Sequence, residues 1–449
     1  MPSVSISLRV TGTTVNPNHT RLSGYCQAAQ HTSEQRSPAR NNSIAYRRPR
    51  LWPIDQRGGL SAGEWLVSVQ EPGCGRRRQV ATKRKFKLDF SLTSFSLFGK
   101  PKAVVGLDIG SSAVKAVEMK QAGKGYKVAA FGSEPVPPDS IVDGAIIDAG
   151  AVAESIRRVF EQKAFRTKEV AASLSGNAVI VKKISLPLMT PTELDESIYW
   201  EAEQYIPFDI QDVNLDYQIL DAGASADSKG TMEVLLVAAK KEKIADYTGV
   251  ISQAGRVPVV VDVDAFALQN AFEVNYGFEP DAVVVLLNAG ASAININILS
   301  GGQSVFTRDV SIGGNAYTEA VQRELNLPFD AAEQLKRGTA VDGATFEDVR
   351  PVLRAMTDNV LLEVQKTFDF FKATAASDRI DRIMLSGGAS RVDGFAEMLQ
   401  DRFGTEVEDF DPFKRIAVDP RKFAEGQQES MGPTAAVAVG LALRRAGDR

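Results

Sequence analysis

Shifted along itself by 180 residues, the chain meets its own pattern. Val105-Gly106-Leu107-Asp108-Ile109-Gly110-Ser111-Ser112-Ala113-Val114 falls on Val285-Leu286-Leu287-Asn288-Ala289-Gly290-Ala291-Ser292-Ala293-Ile294. Each copy is an apolar strand, Asp or Asn, one residue, Gly, small residues and a second apolar strand. Two copies of one strand–turn–strand unit predict two lobes of related fold. The surrounding order of strand, tight turn, strand, strand, helix, strand is an α/β pattern.

What these turns can do depends on what the chain supplies around them. Both cysteines (Cys26, Cys74) and both histidines (His19, His31) lie within the first 87 residues. The body after them therefore has no thiol nucleophile, no His or Cys metal ligand and no His base. Carboxylates, hydroxyls, lysines and backbone amides remain, a set suited to phosphate and Mg²⁺. The formal net charge of −4 is divided unevenly. Residues 1–87 carry 15 Lys and Arg against 4 Asp and Glu, so the body is acidic. No run of 18 apolar residues occurs, so no membrane-spanning helix is expected. Met1 to Gly12 has no apolar h-region, so it is not expected to act as a secretory signal.

Between the two turns the pattern divides the body. Residues 100–177 read as the core of lobe 1. There Asp148 caps a helix with Val152, Ile156, Val159 and Phe160 on one face. Residues 178–262 read as a small inserted α+β subdomain of strands at 179–184, 213–220, 232–239 and 257–261. Its helix starts at Thr190-Pro191-Thr192-Glu193: Thr as N-cap, Pro at the first position, Glu at the third. Leu194, Ile198, Ala202 and Tyr205 form its apolar stripe. Residues 263–431 form lobe 2, with Gly313-Gly314 after a strand. A long helix there carries Val349, Leu353, Val360, Val364, Phe368 and Phe371, read as core packing. Residues 432–449 read as a helix returning to lobe 1.

A Gly-containing turn flanked by Ser can curl its amides around a phosphate. Ser111 and Ser112 add hydroxyl donors, and Asp108 can hold Mg²⁺ through water. Lys115, a cation inside an apolar strand, is placed to neutralise terminal phosphates; the plain alternative is a hairpin with a solvated Lys. Two such turns and the Gly-Gly turn Gly387-Gly388 imply a nucleotide clamped between lobes.

With these residues in view, the body resembles the actin-like ATPase superfamily. The phosphate loops of that superfamily resemble the run Leu107 to Lys115 and the run Asn288 to Ser292. Its adenosine loop resembles Leu385-Ser386-Gly387-Gly388-Ala389-Ser390. Its connecting segments resemble Asp264-Ala265-Phe266-Ala267-Leu268 and Gly432-Pro433-Thr434-Ala435-Ala436. Ala332-Glu333-Gln334-Leu335-Lys336 is similar to a family helix whose Glu and Lys approach ribose and adenine. Within the superfamily the chain looks most like the PilM family of type IV pilus assembly. That likeness rests on Tyr199-Trp200-Glu201-Ala202-Glu203-Gln204-Tyr205-Ile206-Pro207-Phe208 and spans about 100 to 446.

The resemblance implies an ATP- and Mg²⁺-binding, cytoplasmic scaffold with nucleotide contacts from Asp108, Gly110, Ser111, Ser112, Lys115, Gly290, Ala291, Ser292, Gly313, Gly314, Glu333, Lys336, Gly387, Gly388 and Ala389. It implies docking of the cytoplasmic tail of a PilN-like inner-membrane protein, coupling to the pilus motor ATPases and platform, and peripheral location at the inner membrane through partners. Tyr199 and Trp200 can line the peptide groove, or Trp200 can be core of the insertion. Self-association remains open, and no nucleic-acid partner is implied. Active relatives carry Asp where this chain has Asn288. A neutral amide cannot order Mg²⁺ or a lytic water as a carboxylate does, so ATP binding with weak or no turnover is expected. Asp264 is the residual acid, or else a helix N-cap.

Two other functions compete. A polymerising cell-division actin would end in an amphipathic anchor helix, whereas this chain ends on Leu443-Arg444-Arg445 and a few more residues. A small-molecule kinase of the same fold would need an Asp base that the sequence does not present. The basic stretch 1–99 reads as a disordered extension, or as an arm binding nucleic acid or anionic lipid through Arg47, Arg48, Arg50 and Arg76 to Arg78. A third expectation is that translation starts at Val80, because Lys appears only from Lys83 onward and Trp52, Trp65, Cys and His all lie upstream.

Overall fold

The computed structural model describes residues 102–162, 165–221, 230–374, 379–419 and 431–448. The expectations for residues 1–99 lie outside the described residues. Lobe 1 opens with β1 (Val105–Ile109), β2 (Ala113–Ala122) and β3 (Gly125–Pro135), an antiparallel meander. A small hairpin follows, β4 (Ile141–Val142) with β5 (Ala145–Ile146). Next come α1 (Ala149–Gln162) and β6 (Glu169–Leu174), which pairs parallel with β1. The expected cap is present: the Ala151 N–H donates to Asp148 Oδ1 at 2.9 Å. Val152, Ile156, Val159 and Phe160 are buried against Leu107 and Leu174. Each such side chain contributes about 1.5–3 kcal/mol by leaving water.

The insertion consists of β7 (Val179–Pro187), α2 (Pro191–Glu203), β8 (Val213–Asp221) and β9 (Thr231–Lys240). Its three strands form an antiparallel sheet in the order β7-β9-β8. Thr190 and Glu193 form the capping box that the sequence announces, with Pro191 at the first turn. Leu194, Ile198 and Ala202 pack on one face of the sheet. The other face, through Leu235 and Val237, packs on Phe266.

Then follow α3 (Lys241–Gln253), β10 (Val257–Val263) and α4 (Asp264–Tyr276). The sequence reading gave 178–262 to the insertion, and here the structure differs. β10 pairs parallel with β6 in the sheet of lobe 1, and α3 joins the core built on α1. A continuous apolar run fits either sheet; which one it joins is set by long-range pairing.

Lobe 2 repeats the scheme with β11 (Val283–Ala289), β12 (Ile294–Ser300) and β13 (Gln303–Val310). After these come α5 (Gly314–Leu325), α6 (Phe329–Lys336), α7 (Phe346–Thr374), β14 (Arg382–Ser386), α8 (Phe395–Phe403) and β15 (Glu406–Asp409). The sheets have the orders β10-β6-β1-β2-β3 and β13-β12-β11-β14-β15. Read from opposite edges these are one order: a three-stranded meander followed by two parallel strands. The 180-residue repeat therefore reports a repeated topology.

The last helix, α9 (Ala436–Ala442), lies with α4 between the lobes. Leu268, Phe272, Ala438 and Val439 share a core with Val117 and Met119 of one sheet and Leu286 and Met384 of the other. Two glycines permit this closeness. A Cβ on Gly106 would sit 2.1 Å from the Ala438 carbonyl oxygen, and one on Gly440 1.7 Å from that of Ala267.

Candidate functional site

The two glycine turns face each other at the ends of β1–β2 and β11–β12. In the first, the Gly110 N–H closes onto the Ala113 carbonyl at 3.2 Å; in the second, the Gly290 N–H closes onto that of Ala293 at 2.9 Å. The tips meet: Ser111 Oγ donates to Ser292 Oγ at 2.9 Å. Asp108 and Lys115 are cross-strand partners at the base of the first turn, with Lys115 Nζ 3.0 Å from Asp108 Oδ2. Lys115 is thus turned into the cleft and neutralised by a carboxylate, rather than solvated. Asn288 and Asn295 occupy the same register in the second turn, joined by a 2.9 Å hydrogen bond from the Asn288 amide.

Lobe 2 builds a wall around its turn. Gly387 has φ +92°, and a Cβ there would lie 2.1 Å from the Ala289 carbonyl oxygen, so only glycine fits. The first amides of α5 are already engaged: Gly314 N–H donates to the Gly290 carbonyl at 2.9 Å and Asn315 N–H to that of Ala291 at 2.7 Å. Gly313 sits behind these carbonyls, where a Cβ would come within 2.7 Å of both. On α6, Lys336 Nζ lies 2.5 Å from Glu333 Oε2 and donates to the Gly314 carbonyl at 3.0 Å. Burial pushes the Glu333 carboxyl up, but the Lys336 ammonium and the Thr318 hydroxyl outweigh it, leaving the group below its usual range.

Lobe 1 supplies the acid. Asp264 begins α4, yet Val263 is the N-cap and no side chain caps it; the N-cap alternative is not realised. Instead Ser173 Oγ donates to Asp264 Oδ1 at 2.5 Å. Burial pushes this carboxyl up to about 6, and the nearby Asp108 charge adds to the rise against the serine hydrogen bonds. Beside it, Lys243 Nζ and the Tyr247 hydroxyl both donate to the Gly144 carbonyl, the latter at 3.0 Å. Asp309 of β13 crosses the cleft: its Oδ1 accepts from Asn295 at 2.8 Å and its Oδ2 from the Gly176 N–H at 2.5 Å.

The cavity between the lobes measures about 720 Å³. Of the residues expected from sequence, Asp108, Gly110, Ser111, Ser112, Lys115, Asp264 and Asn288 line it. So do Gly290, Ala291, Ser292, Gly314, Glu333, Lys336, Gly387, Gly388 and Ala389. Gly313 does not: it supports the second turn from behind. Tyr199 and Trp200 lie elsewhere, on α2, 52% and 74% exposed; Trp200 is not core of the insertion. Sequence reasoning missed Asn295, Tyr247, Asn315, Phe346 and Arg391 as lining residues. Asn295 carried a signal, since the 180-residue shift lays it on Lys115. Among the described residues no cluster of three acidic side chains forms a metal site, and no helix is long and apolar enough to cross a membrane.

A two-lobed fold with a repeated sheet, paired glycine turns in the cleft and a small insertion defines an actin-like ATPase fold. The family described as Type IV pilus assembly protein PilM matches residues 106–446, and the chain belongs to it. It is 33% identical to a chain of a solved PilM–PilN type IV pilus biogenesis complex, with a TM-score of 0.69, covering 77% of this chain and 99% of that one. It is also similar to the cell division protein FtsA of Enterococcus hirae, 23% identical over 69% of this chain and 78% of the relative. The FtsA of Staphylococcus epidermidis is 22% identical over 68% and 73%.

Proposed function

We propose that this protein is an ATP-binding scaffold of type IV pilus assembly that docks the tail of a PilN-like inner-membrane protein and couples it to the pilus motor. The observation that carries the nucleotide reading is the facing pair of turns, with Ser111 and Ser292 in contact and Lys115 turned inward. The cavity suits a nucleoside triphosphate by size and chemistry. Lys115 would leave Asp108 for the terminal phosphates, which frees Asp108 to hold Mg²⁺ through water. The Gly388 amide and the two serine hydroxyls supply further donors, the Gly110 and Gly290 amides being held inside their own turns. Glu333 and Lys336 stand at the sugar and base side. Bound Mg²⁺ would supply charge neutralisation on the phosphates.

Hydrolysis is weak in this reading, because Asn288 offers an amide and Asp264 is the remaining acid of the cleft. The partner reading rests on the family and on the solved relative, whose complex contains PilN. Exposed Tyr199 and Trp200 on α2 support a groove for the tail. Location at the inner membrane follows from that partner. The division into 100–177, an insertion, 263–431 and a returning C-terminal helix stands within this proposal, with the insertion ending at Lys240.

Titration calorimetry tests both halves separately. ATP with Mg²⁺ is expected to bind the full chain, and a synthetic peptide of the PilN-like tail is expected to bind wild type and to lose affinity with Trp200→Ala. Absence of ATP binding would sink the nucleotide reading; an unchanged peptide affinity would remove α2 from the groove.

A further inference from the structure

Lobe 1 has two ends. The cleft occupies the end where β1, β6 and β10 finish. The opposite end, where these strands begin and the β2–β3 hairpin turns, is basic. Lys120 and Lys127 are direct cross-strand partners on that hairpin, and Lys124 stands in the turn between them. Lys102 precedes β1; Arg166 and Lys168 precede β6. Arg445 bridges in backbone to Ala103, which brings it to the same end. All of these but the half-buried Lys120 are exposed.

The charge is little compensated. Among the described residues, Lys102 is the one member of this group whose side chain is ion-paired, to Glu169 at 3.7 Å; the Asp448 carboxylate also lies at this end, accepting from the Arg445 N–H at 2.8 Å. Glu118 is buried and spent on the Arg166 N–H at 2.9 Å. Like charges directly opposite on neighbouring strands are destabilising, so Lys120 and Lys127 sit where folding alone gives no reason for them. The matching end of lobe 2 leans the other way: Glu279 and Asp281 precede β11, Asp381 precedes β14 and Glu406 opens β15, against Arg379 and Arg382, which pair with Asp381 and Glu279. The protein is therefore polarised, basic at one end of lobe 1 on a chain of net charge −4.

We infer that the strand-start end of lobe 1 is a membrane-facing surface that binds anionic lipid headgroups. This goes beyond the proposed function, in which the membrane is reached through a partner. Five of the seven cations are lysines, hydrated point charges suited to a diffuse anionic field. Among the described residues the aromatics beside these cations, Tyr126 and Phe165, are half-buried and packed on the cores, not laid out on the surface as binding to single-stranded nucleic acid would favour. The sequence ahead of Lys102 independently holds lipid-partitioning composition, Lys83, Arg84, Lys85 and Lys87 with Phe86, Phe90, Phe95 and Phe98.

Vesicle co-sedimentation of the purified full chain tests this. Wild type is expected to partition onto phosphatidylcholine vesicles holding about 30 mol % phosphatidylglycerol, not onto pure phosphatidylcholine, and to be released by salt. Lys124→Gln, Lys127→Gln and Lys168→Gln should each lower partitioning about fivefold, and the triple variant about a hundredfold. These side chains are exposed and far from the cleft, so an unchanged melting curve and ATP titration are expected to accompany the loss. A triple variant that partitions like wild type, equal binding to both vesicles, or no binding to either would overturn the inference. Tighter retention on duplex DNA than on the anionic vesicles would replace lipid by nucleic acid.

Discussion

The turn of lobe 1 is closed at its base by opposite charges, Asp108 and Lys115; the turn of lobe 2 by two amides, Asn288 and Asn295. Register and spacing are the same, so the difference is purely chemical. An ion pair at a cleft wall is exchangeable. In the proposed function a phosphate would compete for the lysine, and a cation for the carboxylate it leaves. The amide pair is part of a fixed chain. Ser386 Oγ donates to Asn288 Oδ1 at 3.3 Å, Asn288 to Asn295, and Asn295 to Asp309, which accepts from lobe 1 at Gly176. In the proposed function one hairpin changes partners on binding, while its duplicate bonds across the lobes.

The largest expected effect falls on the exchangeable side. Lys115→Ala should weaken ATP binding by about 1.5–3 kcal/mol, the range for a lost charged hydrogen bond, against about 1 kcal/mol for Asn295→Ala. Equal losses by calorimetry would erase the distinction between the turns. Next comes the acid beside the charged turn. Asp264 has a folded pKa raised to about 6 by burial and by Asp108. Its unfolded value is near the ordinary carboxylate one, about 3.9. Its contribution is therefore fully present below about pH 4 and lost as pH rises through about 6, of the order of 3 kcal/mol. Asp264→Asn should remove that slope from melting temperatures measured between about pH 4 and 8; an identical slope would show that the carboxyl does not titrate there. Restoring the acid is expected to act on turnover more than on affinity. Asn288→Asp should raise phosphate release while ATP affinity stays within about tenfold, or 1.4 kcal/mol. A wild type already turning over at about 10 s⁻¹ would contradict the fixed-chain view.

The parts of this picture that were legible in sequence are local ones. The strand–Gly–strand copies, the Thr190–Glu193 box and the Asp148 cap each declare themselves within ten residues, because turn and cap geometry is decided by neighbours. The paired sheet orders followed from the repeat. What stayed hidden depends on contacts across the chain. The bond from Gly176 to Asp309 spans 133 residues, and that from Tyr247 to Gly144 spans 103. β10 was misplaced for the same reason: Val257–Val263 has no polar face to say which sheet it joins. In sequence Gly313 looks like a ligand residue, because a glycine pair beside a turn is alike whether it faces the cavity or backs the wall.

The Gly176 hydrogen bond has a further consequence. Gly176 lies in the short connection from β6 to β7, at the root of the insertion, and its N–H is held by a carboxylate of the other lobe. That amide proton is expected to exchange with solvent when the Asp309 carboxylate withdraws from this seam. Its deuterium exchange rate reports on the seam between the lobes without any bound ligand, at the point where the insertion is attached.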